Sequence, residues 1–592
     1  MDEGTVEDEA LDNNAGEGDL AGDGAVRDRV ETDWPLRPWI FAGLLAVAGL
    51  AIYFLTDDAN DSGPRIAAAA FIAFASGAFV FTAERGRTIA PAIFSLVTGR
   101  VVGGLTWRAV GAGNDIADGG YAVAAGVFAC LLAVPLFQAD FHRRWFRTDY
   151  KDIHYFVWTD AITGAGAFAF FLIAWALIWL LASLFDLVGI PLRDLIQADR
   201  FGWVYAGLTL GAGLGTLRNQ LKIIGTLQSV VLLVLSILAL PLAIAIAVFL
   251  GAVVVSGPSV LWNATDSATP VLLSIAIGAY ALANAVLRDR DEDMVGGPIL
   301  KWSGYALALG ILPLTVFAAI STGVRIDQHG LSPERLWALA SVAVAVAFGL
   351  AYFVDALLGA RGSWRDRLRA SNLRMAVATA LFALFLALPI LNFGALSTKD
   401  QLARLESGAI SVEEFDFDAL ARDFGDAGRR ALTHLAESEN EAVVTAARRA
   451  KENANADLRA RTRYEDASVD LDKLVFKGGT ESERAWVRRF LEVNPNSIGS
   501  RDYTHVIFAG PIEVGLYNGS HAIVVTDQGW LGHLLIEDDG AIELDVVEGT
   551  LIQSRSRQDN AVLTDEDSTI EVRPFRGRRV YIDGEPVGEP FR

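Results

Sequence analysis

Cysteine appears once in the 592 residues, methionine three times, and lysine seven times among 50 basic residues. With Cys130 alone, no disulfide can form within the chain, so cysteine usage carries no information on redox compartment. The excess of arginine over lysine matches the coding bias of a GC-rich bacterial genome. Charge is scarce as well. Only 20% of residues are Asp, Glu, Lys or Arg, whereas 52% are hydrophobic, and a soluble chain of this length would carry more charge. The motifs of common enzymes are missing: the sequence has no GxSxG elbow, no HExxH pair and no Walker loop. No catalytic residue, cofactor or nucleic-acid partner is expected, and a non-enzymatic role leads.

What the chain does have is long apolar runs, each about 17–30 residues, the length that crosses a hydrocarbon core roughly 30 Å thick. Clear runs lie near 37–55, 65–83, 119–138, 160–185, 226–254, 267–287, 302–323, 334–357 and 373–396. Two further segments are weaker: 88–107 carries Arg100 at mid-length, and 201–217 is short. Charge placement decides both, because short cytoplasmic loops are enriched in Lys and Arg. The basic loops are "ERGR" at 84–87, "HRRWFRTDYK" at 142–151, "LRNQLK" at 217–222 and "RGSWRDRLRASNLR" at 361–374. They fall on one side only if both weak segments cross. The expected architecture is an all-α polytopic membrane protein of about eleven spans, 34–396, in the bacterial inner membrane. Its amino terminus is then cytoplasmic and its carboxyl terminus extracytoplasmic.

Residues 1–33 hold twelve acidic residues against Arg27 and Arg29. So polar a tail cannot bury enough apolar surface to offset its ordering entropy, and disorder is expected. It has neither the positive start nor the apolar core of a signal peptide, so the first span reads as a retained anchor.

Beyond the last span the pattern changes. Residues 397–495 place Leu, Phe and Ala at helical spacing, and a helical extracytoplasmic region is expected. From about 502 the period becomes two. "VGLYNGSHAIVV" reads as strand, Asn-Gly turn, strand; "LLIEDDGAIELDVV" repeats it with Asp-Gly, and "VRPFRGRRVYIDGEPV" adds a third hairpin. The region 496–592 is expected to be a small antiparallel β-meander closing a soluble α+β portion.

Candidate functional groups are ionisable residues at membrane depth, which are costly unless they serve a purpose. Arg100, Asp160 with His154 nearby, and Asp355 qualify. The plain readings are that Asp160 complements a nearby helix start, that Asp355 sits within a turn of the membrane face, and that Arg100 snorkels or pairs. Tyr280 and Asn284, four apart on one face, read as a tie between helices. "GAGLG" at 211–215 is not a dinucleotide loop, since no strand precedes it. Gly207, Gly211 and Gly215 instead strip one face so that a neighbouring backbone can approach. His505, His521 and His533 fall on expected strands but match no metal-ligand spacing, so no metal is assigned.

The connection "RIDQHGLSPERLW" at 325–337 joins two spans. Ser332 is a good N-cap, Pro333 fits the first helical position, Glu334 complements the helix dipole, and Gly330 can adopt positive φ. Arg325, His329 and Arg335 remain candidates here. The arginines pair with Asp327 and Glu334, or grip a lipid phosphate or the outer domain.

This connection, followed after the last span by "STKDQLARLESGAISVEEFDFDALARDF", resembles a bacterial polytopic membrane-protein family catalogued as a domain of unknown function (family four-one-five-three). The family pattern is Arg, then Tyr-Gly-Leu-Thr-x-x-Arg, then a span, and later Gln-x-x-Arg-Leu-x-x-Gly with Phe-Asp and Leu following. Arg325, Gly330, Leu331, Arg335, Gln401, Arg404, Leu405, Gly408, Phe415, Asp416 and Leu420 match it. His329 replaces the expected Tyr and Ser332 the expected Thr. The resemblance implies the membrane placement and assigns no catalytic residue. Membrane lipids are expected partners, and the outward domain is expected to bind or assemble with another envelope protein. Transport through the intramembrane Asp and Arg groups is the alternative, and a membrane enzyme acting on lipid or envelope glycan a further one.

Overall fold

The computed structural model describes residues 34–57, 62–190, 192–257, 268–288, 297–359, 364–465, 474–493, 504–514, 517–526, 531–537, 549–554, 570–574, 578–582 and 585–591. The acidic tail at 1–33 lies outside them. The chain divides into two compact units, Met1–Ala447 and Arg448–Arg592.

The first unit is helical: α1 (Arg37–Thr56), α2 (Gly63–Thr82), α3 (Ile89–Gly111), α4 (Gly119–Gln138), the single turn α5 (Phe141–Arg144), α6 (Tyr150–Asp186), the short α7 (Leu192–Gln197) and α8 (Asp199–Asn219). Then follow α9 (Leu221–Ser256), α10 (Thr269–Leu287), α11 (Pro298–His329), α12 (Pro333–Leu358), α13 (Trp364–Ala387), α14 (Phe393–Glu406), α15 (Phe417–Arg422), α16 (Gly425–Leu435) and α17 (Glu441–Glu465), the last running past residue 447. Ten of these are long and apolar enough to cross a membrane, which makes the chain a multi-pass membrane protein; α8, the shortest expected span, is not among the ten.

α8 nevertheless lies antiparallel along much of α1. A Cβ on Gly207 would strike the carbonyl of Leu45, one on Gly211 that of Phe41, and one on Gly215 would come 2.5 Å from the Cα of Pro38. Gly49 of α1 meets the Trp203 carbonyl in the same way. In lipid, where burying apolar side chains brings no gain, such backbone approach is what holds helices together. A second group, α9 to α12, packs through Ala239, Ala276, Ala279, Ala308, Ala318 and Ala356 around Leu272, Leu307, Leu314 and Tyr352. α13 touches both α4 and α12 and so links the two groups.

Three boundaries differ from expectation. α6 begins at Tyr150, capped by Asp149 accepting from the Lys151 N–H at 3.1 Å. Asp160 is therefore eleven residues into the helix and does not serve its start. The last span, expected at 373–396, is displaced to Trp364–Ala387. Pro389 follows its end, and Asn392 caps a new helix, accepting from the Ala395 N–H at 2.9 Å. The boundary expected at 396/397 falls inside α14, and 397–447 groups with the first compact unit.

The second unit contains β1 (Leu474–Lys477), α18 (Glu481–Val493), β2 (Thr504–Val514), β3 (Tyr517–Thr526), β4 (Leu531–Glu537), β5 (Gly549–Ser554), β6 (Ile570–Pro574), β7 (Arg578–Ile582) and β8 (Glu585–Phe591). A capping box opens α18: Glu483 accepts from the Thr480 N–H at 2.6 Å, and Thr480 Oγ1 accepts from the Glu483 N–H at 3.3 Å. Its apolar face buries Trp486, Val487, Phe490 and Leu491. Sheet order is β1-β2-β3-β4-β5, with a separate sheet β6-β7-β8. Among the described strands of 496–592 every pairing is antiparallel, and β1, which lies in the stretch read as helical, adds a parallel pair with β2. The expected turn at Asn518-Gly519 is corrected. Val514 pairs with Tyr517, so Asn518 and Gly519 are strand residues. The Asp-Gly at 539–540 lies outside the described residues.

Candidate functional site

At the far end of the bundle, opposite the basic loops, the chain closes a cage around the connection between α11 and α12. Gly330 has φ +71° and ends α11, and Ser332 Oγ accepts from the Arg335 N–H at 3.3 Å to start α12. A helix end leaves its last carbonyls without partners. Here three side chains supply them. Arg404 donates from Nη1 to the Asp327 carbonyl at 2.9 Å and from Nη2 to that of Gln328 at 2.8 Å. Gln401 Nε2 donates to the carbonyls of His329 and Leu331, each at 2.9 Å. Arg335 Nη1 donates to the carbonyl of Gly330 at 2.9 Å and to that of His329 at 3.2 Å. In return Asp400 Oδ2 accepts from the Leu331 N–H at 2.7 Å. The cationic caps also suit the negative end of the α11 dipole.

Arg335 therefore grips backbone carbonyls of the turn, with Arg404 and Gln401 beside it. His329 is exposed and enters through its carbonyl, Glu334 is exposed in the first turn of α12, and Arg325 is half-buried one turn back in α11.

Next to the cage, α16 and the loop before α4 meet. Arg429 pairs with Asp115, and a Cβ on Gly425 would come 2.6 Å from the Asp115 carbonyl. Asp118, at φ +54°, stands just before α4 without a side-chain capping bond, and its Oδ2 is buried without a hydrogen-bond partner among the described residues. Burial, then the charges of Glu334 and Asp423, push its carboxyl up to about 6. Burial, then Asp416 and Glu334, likewise raise Asp423. A cavity of about 60 Å³ lies here, bordered by Arg108, Asp115, Asp118, Trp337, Asn392 and Phe393. That is room for a few waters and well below a usual small-molecule site.

At the basic end, polar side chains fasten α1, α2, α4, α6 and α8. Gln138 Nε2 donates to the Phe81 carbonyl at 2.7 Å and to Asp160 Oδ1 at 3.2 Å. Arg218 also donates to the Phe81 carbonyl and lies 4.0 Å from Asp160, while Arg37 donates to the Arg218 carbonyl. The second oxygen of Asp160 and Oε1 of Gln138 are buried without partners among the described residues. His154 is buried one and a half turns earlier, between the rings of Tyr150 and Trp158.

A second network ties α6, α10, α12 and α13. Asn372 Nδ2 donates to Asn284 Oδ1 at 2.6 Å, Tyr352 Oη to Asn372 Oδ1 at 2.5 Å, and Asn284 Nδ2 to Tyr352 Oη at 2.7 Å. Tyr150 Oη accepts from Asn372 Nδ2 at 3.1 Å. Asp355 is half-buried near the end of α12 and stands apart from this network, and Arg100 is exposed midway along α3.

Of the expected residues, Asp160 joins a buried charged cluster, and His329 and Arg335 share the far-end cage with Gly330, Leu331, Gln401 and Arg404 of the two resembling motifs. Arg218, Gln138 and Asn372 carry no motif of their own. Arg218 has a signal nonetheless, since it continues the face of Gly211 and Gly215 at spacings of seven and three. Among the described residues no cluster of three metal-ligating side chains occurs. His505 lies opposite Val525, His521 opposite Leu535 and His533 opposite Ile523, so the three histidines occupy separate register positions. Comparison with family models, with curated proteins and with solved structures finds no match.

Proposed function

We propose that this chain is a non-enzymatic integral protein of the bacterial inner membrane, a member of the family its two motifs resemble. It crosses eleven times, with α8 as a span, the amino terminus inside and the carboxyl-terminal domain outside for binding or assembly. One observation carries the reading: the segment just after the last span is bonded to the α11–α12 turn through Asp400, Gln401 and Arg404. The segment that leads out of the spans is thus held to them. The antiparallel fit of α8 on α1 and the positive-inside rule support the span count and orientation. Truncation after residue 447 is expected to leave a folded membrane protein that no longer crosslinks to an envelope partner. Retained crosslinking would overturn the reading, and an inactive alkaline phosphatase fusion at the carboxyl terminus would overturn the orientation.

A transport reading stands second because Asp160 and Gln138 hold buried oxygens without partners among the described residues, beside Arg218. It requires that protein reconstituted in vesicles carry protons or cations down an imposed gradient and that Asp160→Asn abolish the flux. Tight vesicles with the wild type would remove it.

A further inference from the structure

Arg100 is a charge at the middle of a described membrane span. α3 has 23 residues, and Arg100 has eleven on either side, about 16 Å of helix axis each way. The residues on its face, Ile93, Leu96, Val97, Gly104 and Trp107, are all exposed. Arg100 makes no hydrogen bond or ion pair with any described residue. Snorkelling serves arginines near helix ends, and at the centre of a span that escape is longest. A bare guanidinium facing hydrocarbon at this depth calls for a counter-charge from outside the chain.

Gly104, four residues on, is a second and independent sign. Gly99 and Gly103 are explained by α2, since a Cβ on either would crowd Phe71 or Ala75. Around Gly104 there is nothing within 4 Å. A glycine is the poorest helix former after proline, and here no described neighbour requires it. Beside Arg100 it leaves a notch in which a foreign helix backbone could approach closely.

We propose that this exposed face of α3, the stripe Ile93–Leu96–Val97–Arg100–Gly104–Trp107, is a docking surface for a transmembrane helix of another protein bearing an Asp or Glu at mid-depth. The described spans of a second copy offer no such acid at mid-depth: Asp160 is engaged with Gln138 and Arg218, and Asp355 lies within a turn of the end of α12.

The test uses the full chain in phosphatidylcholine bilayers and a synthetic leucine-rich span of about twenty residues with a central Glu, Gln or Leu. Association is read by energy transfer. The Glu peptide should bind roughly tenfold tighter than the Leu peptide, the scale of polar contacts between helices in bilayers. Arg100→Leu should erase the preference, Arg100→Lys should retain part of it, and Gly104→Leu should weaken it. Equal binding of the three peptides by the wild type would overturn the proposal, as would a preference that survives Arg100→Leu. Arg100-dependent self-association without peptide discrimination would assign the face to a second copy. Loss of the preference when phosphatidylglycerol replaces phosphatidylcholine would assign it to an anionic lipid headgroup. Either result would also overturn the proposal.

Discussion

The guanidinium of Arg404 donates to the carbonyl oxygen of Asp327 at 2.9 Å, across 77 residues of chain. It thereby closes the end of α11 with a side chain from the helix that follows the last span. The bond is exposed, so its strength is discounted from that of a buried charged hydrogen bond. Arg404→Ala is expected to cost about 1–2 kcal/mol. Hydrogen exchange should speed up at Leu331, whose N–H is held by neighbouring Asp400, while amides in α9 stay protected. Unchanged protection at Leu331 would show that the cage does not depend on this arginine.

Gly330 is the pivot of the same cage. At φ +71° an added Cβ would come 2.5 Å from Gln401 Nε2 and 2.8 Å from Arg404 Cδ. Gly330→Ala therefore combines left-handed strain of about 1–2 kcal/mol with displacement of both caps. Thermal unfolding in detergent should show a clear loss, where Gly43→Ala, with nothing within 4 Å, should be neutral or slightly stabilising.

The α1–α8 seam leads to a sharper expectation. Gly211→Leu drives a side chain into the Phe41 backbone, and overpacking of this kind costs about 1–3 kcal/mol or more. A cysteine pair placed across the seam should crosslink in the parent protein and lose that crosslink in the variant. A crosslink of undiminished yield would mean that the helices do not touch as described.

Asp118 makes the far end sensitive to pH. Its carboxyl titrates at about 6 in the folded chain against the ordinary value of 3.8. The folded state therefore holds the proton more tightly than the unfolded chain does. That contribution to stability is full below about pH 4 and is lost as pH rises to about 6. Melting temperature in detergent should fall over that interval and level off above it, and Asp118→Asn should flatten the dependence. Asparagine also tolerates the positive φ at this position. A slope that persists in the variant would assign the titration elsewhere.

Much of this is legible in the residues. The apolar runs locate ten membrane-length helices because a bilayer core demands about twenty consecutive apolar residues and backbone bonds closed within each segment. The spacing of Gly207, Gly211 and Gly215 marks a face for close backbone approach. Ser332, Pro333 and Gly330 mark the turn, since capping and positive φ are local properties of a few residues. The end of the last span is misplaced by hydropathy, which continues through Leu388, Ile390 and Leu391 while Pro389 and Asn392 follow the end of the helix. The parallel strand Leu474–Lys477 escapes because four residues carry too little periodicity to stand out between helices.

The sequence by itself determined which stretches are long and apolar enough for lipid and how the α11–α12 turn is built, because those depend on residues close together along the chain. Only the tertiary structure decided which charges meet. Arg404 caps Asp327, Arg218 reaches Asp160 and Phe81, and Asn372 joins Asn284 because helices distant in sequence pack side by side, and no local pattern records that pairing. Arg100 stands without a described partner by the same rule: its depth is local, whereas its counter-charge is a matter of what packs beside α3.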